Sequence, residues 1–130
     1  MRVLLDTHFL IWAATEPNKI DRREQALLSR SELLVSAISI LELRIKWQKF
    51  GDNSRRRVDV LDPAIALRHI AGNGWELAPL SGEDCAAALA MPVPHRDPFD
   101  EMLLIHAQRL GAKLLTRDSE LQGHPLVVQP

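Results

Sequence analysis

The sequence predicts an α/β protein, a three-layer α/β/α sandwich around a mostly parallel central sheet. Short apolar runs at residues 3–5 and 33–36 lack the alternation of a half-exposed strand, which indicates strands covered on both faces. Helix-start signals follow, Asp62-Pro63 ahead of a predicted strand over 75–80 and Asp97-Pro98 ahead of one over 113–116. Strands that alternate with helices in this way are typical of a parallel sheet with helices on both sides.

The elements follow in order from these signals. Thr7 is expected to cap a short helix that ends near Glu16-Pro17, and Asp21 a polar helix over 22–30 with Ala26 and Leu27 inward. Gly51 should end a helix over 40–50, and residues 51–62 should form an exposed connection. The remaining helices are predicted over 63–72, from Ser81 to about 90, and 98–110, and the remaining strands over 75–80, 113–116 and 126–128.

Length and composition set outer limits on what the protein is. A chain of 130 residues with 46% hydrophobic and 25% charged residues is expected to form a single domain over 1–130. Its single cysteine, Cys85, excludes an internal disulfide framework and is expected to be buried. No apolar run approaches the ~18 residues of a spanning helix, so a cytoplasmic location without a membrane is expected.

Five acidic residues are predicted to meet at one edge of the sheet. In a parallel α/β sheet the carboxyl ends of the strands and the starts of the packed helices share one edge, where ligands bind. Asp6 ends the first strand, Glu42 begins the helix after the second, Asp97 and Asp100 begin the long helix, and Asp118 follows the strand at 113–116.

Each acid also has a local explanation. Asp6 and Asp97 can each cap the N-terminus of a helix, and Ser39 with Glu42 can form a capping box. Asp100 can interact favourably with the dipole of its helix, and Asp118 can begin a turn. These explanations account for the acids one at a time, but they do not explain why all five fall at the same edge.

Clustered carboxylates repel one another unless their pKa values rise or a cation neutralises them. An oxygen-only ligand set favours one or two Mg²⁺ or Mn²⁺ ions, and such ions suit phosphodiester hydrolysis. The five histidines show no metal-ligand spacing, and His106 is expected to lie in the core or to support the site residues from behind the first layer of ligands.

The net charge of −1 argues against binding nucleic acid by bulk electrostatics. Local basic residues remain as a track for RNA or an acidic partner segment, or simply as a solvated face: Arg44, Lys46, Lys49 and the run at 55–57. No aromatic-rich stretch accompanies them, which argues against recognition of bases.

Four segments, taken together and in their order along the sequence, resemble PIN-domain proteins of the VapC toxin type. They are residues 4–8 (Leu-Leu-Asp-Thr-His), 36–43 with Lys46, 95–100 (His-Arg-Asp-Pro-Phe-Asp) and 115–118 (Leu-Thr-Arg-Asp). The resemblance covers essentially the whole chain. Glu101, where many relatives have Arg, and Leu41, where Trp or Ile is common, depart from the pattern.

The resemblance implies a Mg²⁺- or Mn²⁺-dependent endoribonuclease, the toxin of a prokaryotic type II toxin–antitoxin pair. It implies a homodimer inhibited by a small VapB-like antitoxin whose tail enters the site. Asp6, Glu42, Asp100 and Asp118 match the acidic quartet and Asp97 an additional acid, with Asp100 favoured over Asp97 as metal ligand. The expected substrate contacts are Thr7, Thr116, His95, Arg96 and Lys46.

Other α/β enzymes fit less well. A haloacid-dehalogenase-like enzyme needs an Asp where His8 stands, and a dinucleotide-binding domain needs a glycine-rich turn after the first strand, which is absent. A catalytically silent PIN scaffold that binds RNA or a partner remains the alternative.

Overall fold

A computed structural model describes residues 1–50, 60–94 and 97–130. The expected connection with its arginines at 55–57, and the predicted substrate contacts His95 and Arg96, therefore lie outside the described residues. The strands are β1 (Arg2–Leu5), β2 (Glu32–Ser36), β3 (Glu76–Ala78) and β4 (Lys113–Leu115). The helices are α1 (Thr7–Thr15), α2 (Arg22–Ser29), α3 (Ala37–Phe50), α4 (Pro63–Gly72), α5 (Gly82–Ala86) and α6 (Pro98–Leu110).

The four strands form one parallel sheet in the order β3-β2-β1-β4. β1 lies inside the sheet, where Leu4 pairs with Leu34 of β2 on one side and with Leu114 of β4 on the other. β3 lies at an edge, as predicted from Pro79, which has no amide hydrogen to donate to a ladder. Every described strand therefore ends at the same edge of the sheet.

Side chains of β1 alternate between two hydrophobic cores, one on each face of the sheet. Val3 and Leu5 pack with α1, α2, α3 and α4 in the first core. Leu4 packs with Leu103, Leu104 and Ala107 of α6 in the second. Because helices cover both faces of a parallel sheet, the predicted three-layer α/β/α sandwich is confirmed.

Several predicted helix starts and one predicted helix end are confirmed. The residues that signal them are neighbours in the sequence. Asp21 and Glu24 form a reciprocal capping box at the start of α2. Asp62 and Asp97 cap α4 and α6 by accepting hydrogen bonds from the amides of Ala64 and Phe99. Gly111 ends α6 in the left-handed conformation, with φ of 65°.

Other local predictions are wrong. Asp6, not Thr7, caps α1, and on α2 Glu24 is buried while Ala26 is exposed. The helix expected to begin at residue 40 begins at Ala37, so Ser39 is not a cap and the Ser39–Glu42 capping box does not form.

Several elements in the C-terminal half are shorter than predicted, and β3, predicted over 75–80, spans only Glu76–Ala78. α5 ends at Ala86 rather than near residue 90. Cys85, within this helix, is exposed rather than buried as predicted. The strand expected over 126–128 is reduced to one bridge between Val127 and Leu114. None of the helices in the described ranges is long and apolar enough to cross a membrane.

His106 joins the long helix to β2 inside the protein, as the prediction of a core histidine required. Its Nδ1 lies 2.7 Å from the Ser36 hydroxyl oxygen, which also accepts a hydrogen bond from the Ile38 amide. Its Nε2 lies 4.0 Å from the Asp84 carboxylate. Burial lowers the pKa of His106, and the charge of Asp84 only partly opposes this effect.

This buried imidazole predicts an acid-sensitive fold. Below the ordinary histidine pKa of about 6.5 the unfolded chain binds a proton at His106 that the folded chain does not yet accept. The free energy of unfolding should therefore fall as the pH drops below that value, and level off below the folded pKa. Urea titrations across this range should show a shallower fall for His106→Gln than for the unsubstituted chain. An unchanged slope in His106→Gln would contradict the assignment.

Candidate active site

One pocket at the carboxyl ends of the strands brings together all five predicted acids. It has a volume of about 400 Å³ and is lined by residues of four segments: the start of α1, α3, the start of α6 and the turn after β4. The lining residues are Asp6, His8, Phe9, Trp12, Glu42, Lys46, Asp97, Asp100, Arg117 and Asp118.

Asp6 is the most buried of the five acids, with 7% of its surface exposed. Its Oδ1 accepts a hydrogen bond from the His8 amide at 3.1 Å, and its Oδ2 accepts one from the Thr116 hydroxyl at 2.5 Å. Burial by itself would raise the pKa of Asp6, but its contacts with His8 and Thr116 outweigh burial and lower it. Asp6 therefore caps α1 and also presents a carboxylate, not a carboxylic acid, to the pocket.

Glu42 is held from two sides. Its Oε1 accepts a hydrogen bond from the Thr7 hydroxyl at 2.8 Å, and its Oε2 lies 3.4 Å from Nζ of Lys46, one turn later on α3. The Thr7 oxygen also lies 2.9 Å from the Ser39 hydroxyl oxygen. Because a hydroxyl carries one hydrogen, Ser39 donates to Thr7 when Thr7 donates to Glu42. The hydrogen bonds from Ser39 to Thr7 and from Thr7 to Glu42 hold the Glu42 side chain, and they replace the capping box that the sequence predicted.

The other three acids differ in how they are attached. Asp97 caps α6 through an oxygen that accepts from the Phe99 amide at 2.9 Å. Asp100 lies half-buried in the first turn of the same helix. Asp118 follows β4, and its Oδ1 accepts from the Glu120 amide at 2.9 Å. Glu101, the departure from the PIN pattern, is exposed and does not line the pocket.

The pocket carries a surplus of negative charge. Among the described residues, five carboxylates line the pocket with Lys46, Arg117 and His8, whose pKa is raised by its contact with Asp6. Lys46 lies beside Glu42, and Arg117 is paired with Glu24, which does not line the pocket. In the described ranges no three acidic, histidine or cysteine side chains are gathered closely enough to form a preformed metal cage. Mg²⁺ does not require one, since it is usually held by one or two carboxylates and several waters. The oxygen-only acids and the size of the pocket fit a hydrated hard cation.

Two predicted substrate contacts have a different place in the structure. Thr7 and Thr116 are buried and do not line the pocket. Thr7 donates a hydrogen bond to Glu42, and Thr116 donates one to Asp6. Their position favours holding the acids over touching a substrate. Lys46, the third predicted contact, does line the pocket.

Four residues of the pocket were missed as a group by the sequence reasoning: His8, Phe9, Trp12 and Arg117. The guanidinium of Arg117 lies over both aromatic rings, 4.5 Å from the centroid of Trp12 and 5.4 Å from that of Phe9. A signal was available for part of the group, since His8 and Trp12 are four residues apart on a helix that begins at Asp6.

A parallel α/β sandwich with an acidic pocket at its strand ends matches one family. The model of the PIN domain matches residues 3–124, so the chain belongs to the PIN domain family. The chain is 28% identical over 124 residues to Ribonuclease VapC22 of Mycobacterium tuberculosis (strain ATCC 25618 / H37Rv), covering 94% of this chain and 91% of that protein.

The fold is also similar to a solved structure, the crystal structure of VapBC2 from Rickettsia felis bound to a DNA fragment from their promoter. The TM-score is 0.62 at 16% identity, over 98% of this chain and 96% of the other. The PIN-like fold and the resemblance to VapC-type PIN proteins are confirmed by these comparisons.

Proposed function

We propose that this PIN protein is a divalent-metal-dependent endoribonuclease and the toxin of a type II toxin–antitoxin pair. The observation that carries the proposal is the pocket itself, where carboxylates from positions 6 to 118 meet in one negatively charged space. The family match and the relative named Ribonuclease VapC22 support the ribonuclease class.

In this proposal Asp6, Glu42, Asp100 and Asp118 hold Mg²⁺ or Mn²⁺, as one or two ions, and Asp97 is an accessory acid. When bound, the metal would polarise a phosphoryl oxygen and lower the pKa of a coordinated water. The protein itself keeps these carboxylates ionised and in position. His8 and Thr116 lower the pKa of Asp6. Thr7 and Lys46 each contact one oxygen of Glu42 and hold it in place.

The proposal extends to partners and location. We infer a cognate VapB-like antitoxin, because the similar solved structure is that of VapBC2, a VapBC complex. We further infer a homodimer in the prokaryotic cytoplasm, as the resemblance to VapC-type PIN proteins implies. We assign residues 1–130 to a single PIN domain, since the pocket uses residues from position 6 to position 118.

The test is cleavage of a mixed RNA pool by the purified chain with Mg²⁺, with Mn²⁺ and with excess chelator, beside a DNA pool of the same sequences. We expect RNA fragments only when a divalent ion is present. Cleavage that persists in chelator would contradict the metal role, and no cleavage of any RNA under any condition would favour a binding scaffold over an enzyme.

A further inference from the structure

We propose that the wall of the acidic pocket formed by His8, Trp12 and Arg117 is a stacking site for an unpaired nucleobase of the substrate. The inference rests on the proposed function and deepens it, since it assigns the pocket a single-stranded nucleic acid with a base beside the reacting phosphate. It replaces the expectation, drawn from the basic residues alone, that bases are not recognised.

Arg117 is held in one orientation by contacts along the edge of its guanidinium. Nε donates to one oxygen of Glu24 at 2.9 Å and Nη2 to the other at 2.6 Å, while Nη2 also donates to the carbonyl of Lys19. The carboxylate of Glu24 is 5% exposed and neutralises the guanidinium. Three of the five N–H donors of the guanidinium are used in this way, so the edge formed by Nε and Nη2 cannot grip a phosphate, and the planar face is the feature that the proposal uses.

The plane of Arg117 has an aromatic support. Its Cζ lies over Trp12 and Phe9, whose rings meet edge to face with their centroids 5.1 Å apart. The Arg117 side chain is nevertheless 42% exposed and lines the pocket. A flat cation that is supported on one side and open to solvent elsewhere is a surface on which bases stack.

His8 extends the wall along α1. Its ring lies 5.9 Å from that of Trp12, tilted by 39°, and its side chain is 49% exposed. The acids and this wall line the same pocket, so a nucleotide with its phosphate near the acids can place its base against the wall. Stacking of this kind tolerates different bases, because every base has a π face. The wall should therefore read the presence of a base more than its identity.

The experiment compares two ligands that differ only in the base, adenosine 5′-monophosphate and ribose 5-phosphate, on the full chain in the presence of Mg²⁺. Neither ligand contains an internucleotide bond, so cleavage does not interfere. NMR titration should show the nucleotide binding about 5- to 150-fold more tightly, the range that base stacking supplies. The indole N–H signal of Trp12 should shift when adenosine 5′-monophosphate is added but not when ribose 5-phosphate is added. The indole N–H signal of Trp75, which lines a different pocket, should shift with neither ligand.

A matched pair of variants assigns the effect to the wall. Arg117→Lys keeps a positive charge for Glu24 but removes the plane, and it should abolish the preference for the nucleotide. Arg109→Lys, at an arginine of equal exposure that pairs with Asp84 elsewhere, should keep it.

Equal affinity for the two ligands, or no nucleotide binding at millimolar concentration, would overturn the stacking site and leave the nuclease proposal standing. A preference for the nucleotide that Arg117→Lys keeps would also overturn the stacking site. A preference in the unsubstituted chain that Arg117→Lys abolishes, together with ribose 5-phosphate binding that does not depend on Mg²⁺, would support the stacking site and count against the proposed metal site.

Discussion

Asp6→Asn should reduce metal-dependent RNA cleavage by about a thousandfold or more. The substitution removes the negative charge of the most buried acid in the pocket, and the loss of several kcal/mol of charge stabilisation corresponds to at least three factors of ten in rate. The measurement is the initial rate of cleavage at saturating Mg²⁺.

Asp62→Asn is the matched control for this substitution. Asp6 and Asp62 are both N-caps whose Oδ1 accepts from the amide two residues later, at 3.1 and 2.9 Å. Asn caps a helix about as well as Asp, so both variants should stay folded. Only Asp6 lines the pocket, and only its variant should lose activity. Equal activities of the two variants would show that the carboxylate of Asp6 takes no part in the reaction.

Arg117→Ala should lower the free energy of unfolding by about 3 kcal/mol. It leaves the carboxylate of Glu24, which is 5% exposed, without its bidentate partner. Breaking a buried ion pair from one side costs about 3–5 kcal/mol, and the lower end of this range applies because the Arg117 side chain is 42% exposed. It also uncovers the rings of Trp12 and Phe9. Urea unfolding with an unchanged m value is the measurement.

Arg109→Ala is the control for the loss of stability expected of Arg117→Ala. Arg109 is also 42% exposed and donates to Asp84 at 2.9 Å, but Asp84 lies on α5 and no aromatic ring contact accompanies the pair among the described residues. A surface pair of this kind contributes up to about 1 kcal/mol. If both arginine variants shifted the unfolding midpoint equally, the Glu24–Arg117 pair would be an ordinary surface pair.

The sequence was sufficient for the features that depend on neighbouring residues or on the period of a strand. Buried strands show as unbroken apolar runs, and Asp21, Asp62 and Asp97 announce the helices that follow them. The edge shared by the five acids then follows from the parallel topology alone, without knowledge of any side-chain contact.

What the sequence did not reveal depends on contacts between distant segments. Glu24 is buried because it meets Arg117, 93 residues later, and Trp12 becomes part of the pocket wall because Arg117 lies over it. Thr116 reaches Asp6 across 110 residues of chain. Neither periodicity nor capping rules carry this information. The capping box expected at Ser39 does not form because α3 begins at Ala37, and the side chains of Ser39 and Glu42 contact Thr7 of a distant segment instead.

The most direct test of the account is to locate Mn²⁺ in crystals of the chain by anomalous diffraction. We predict a peak in the pocket within about 2.0–2.3 Å of carboxylate oxygens that include Asp6 and Asp100, and its loss in Asp6→Asn. A pocket that stays empty at saturating Mn²⁺, or a peak bound only at other acids, would contradict the claim that these distant carboxylates serve one ion.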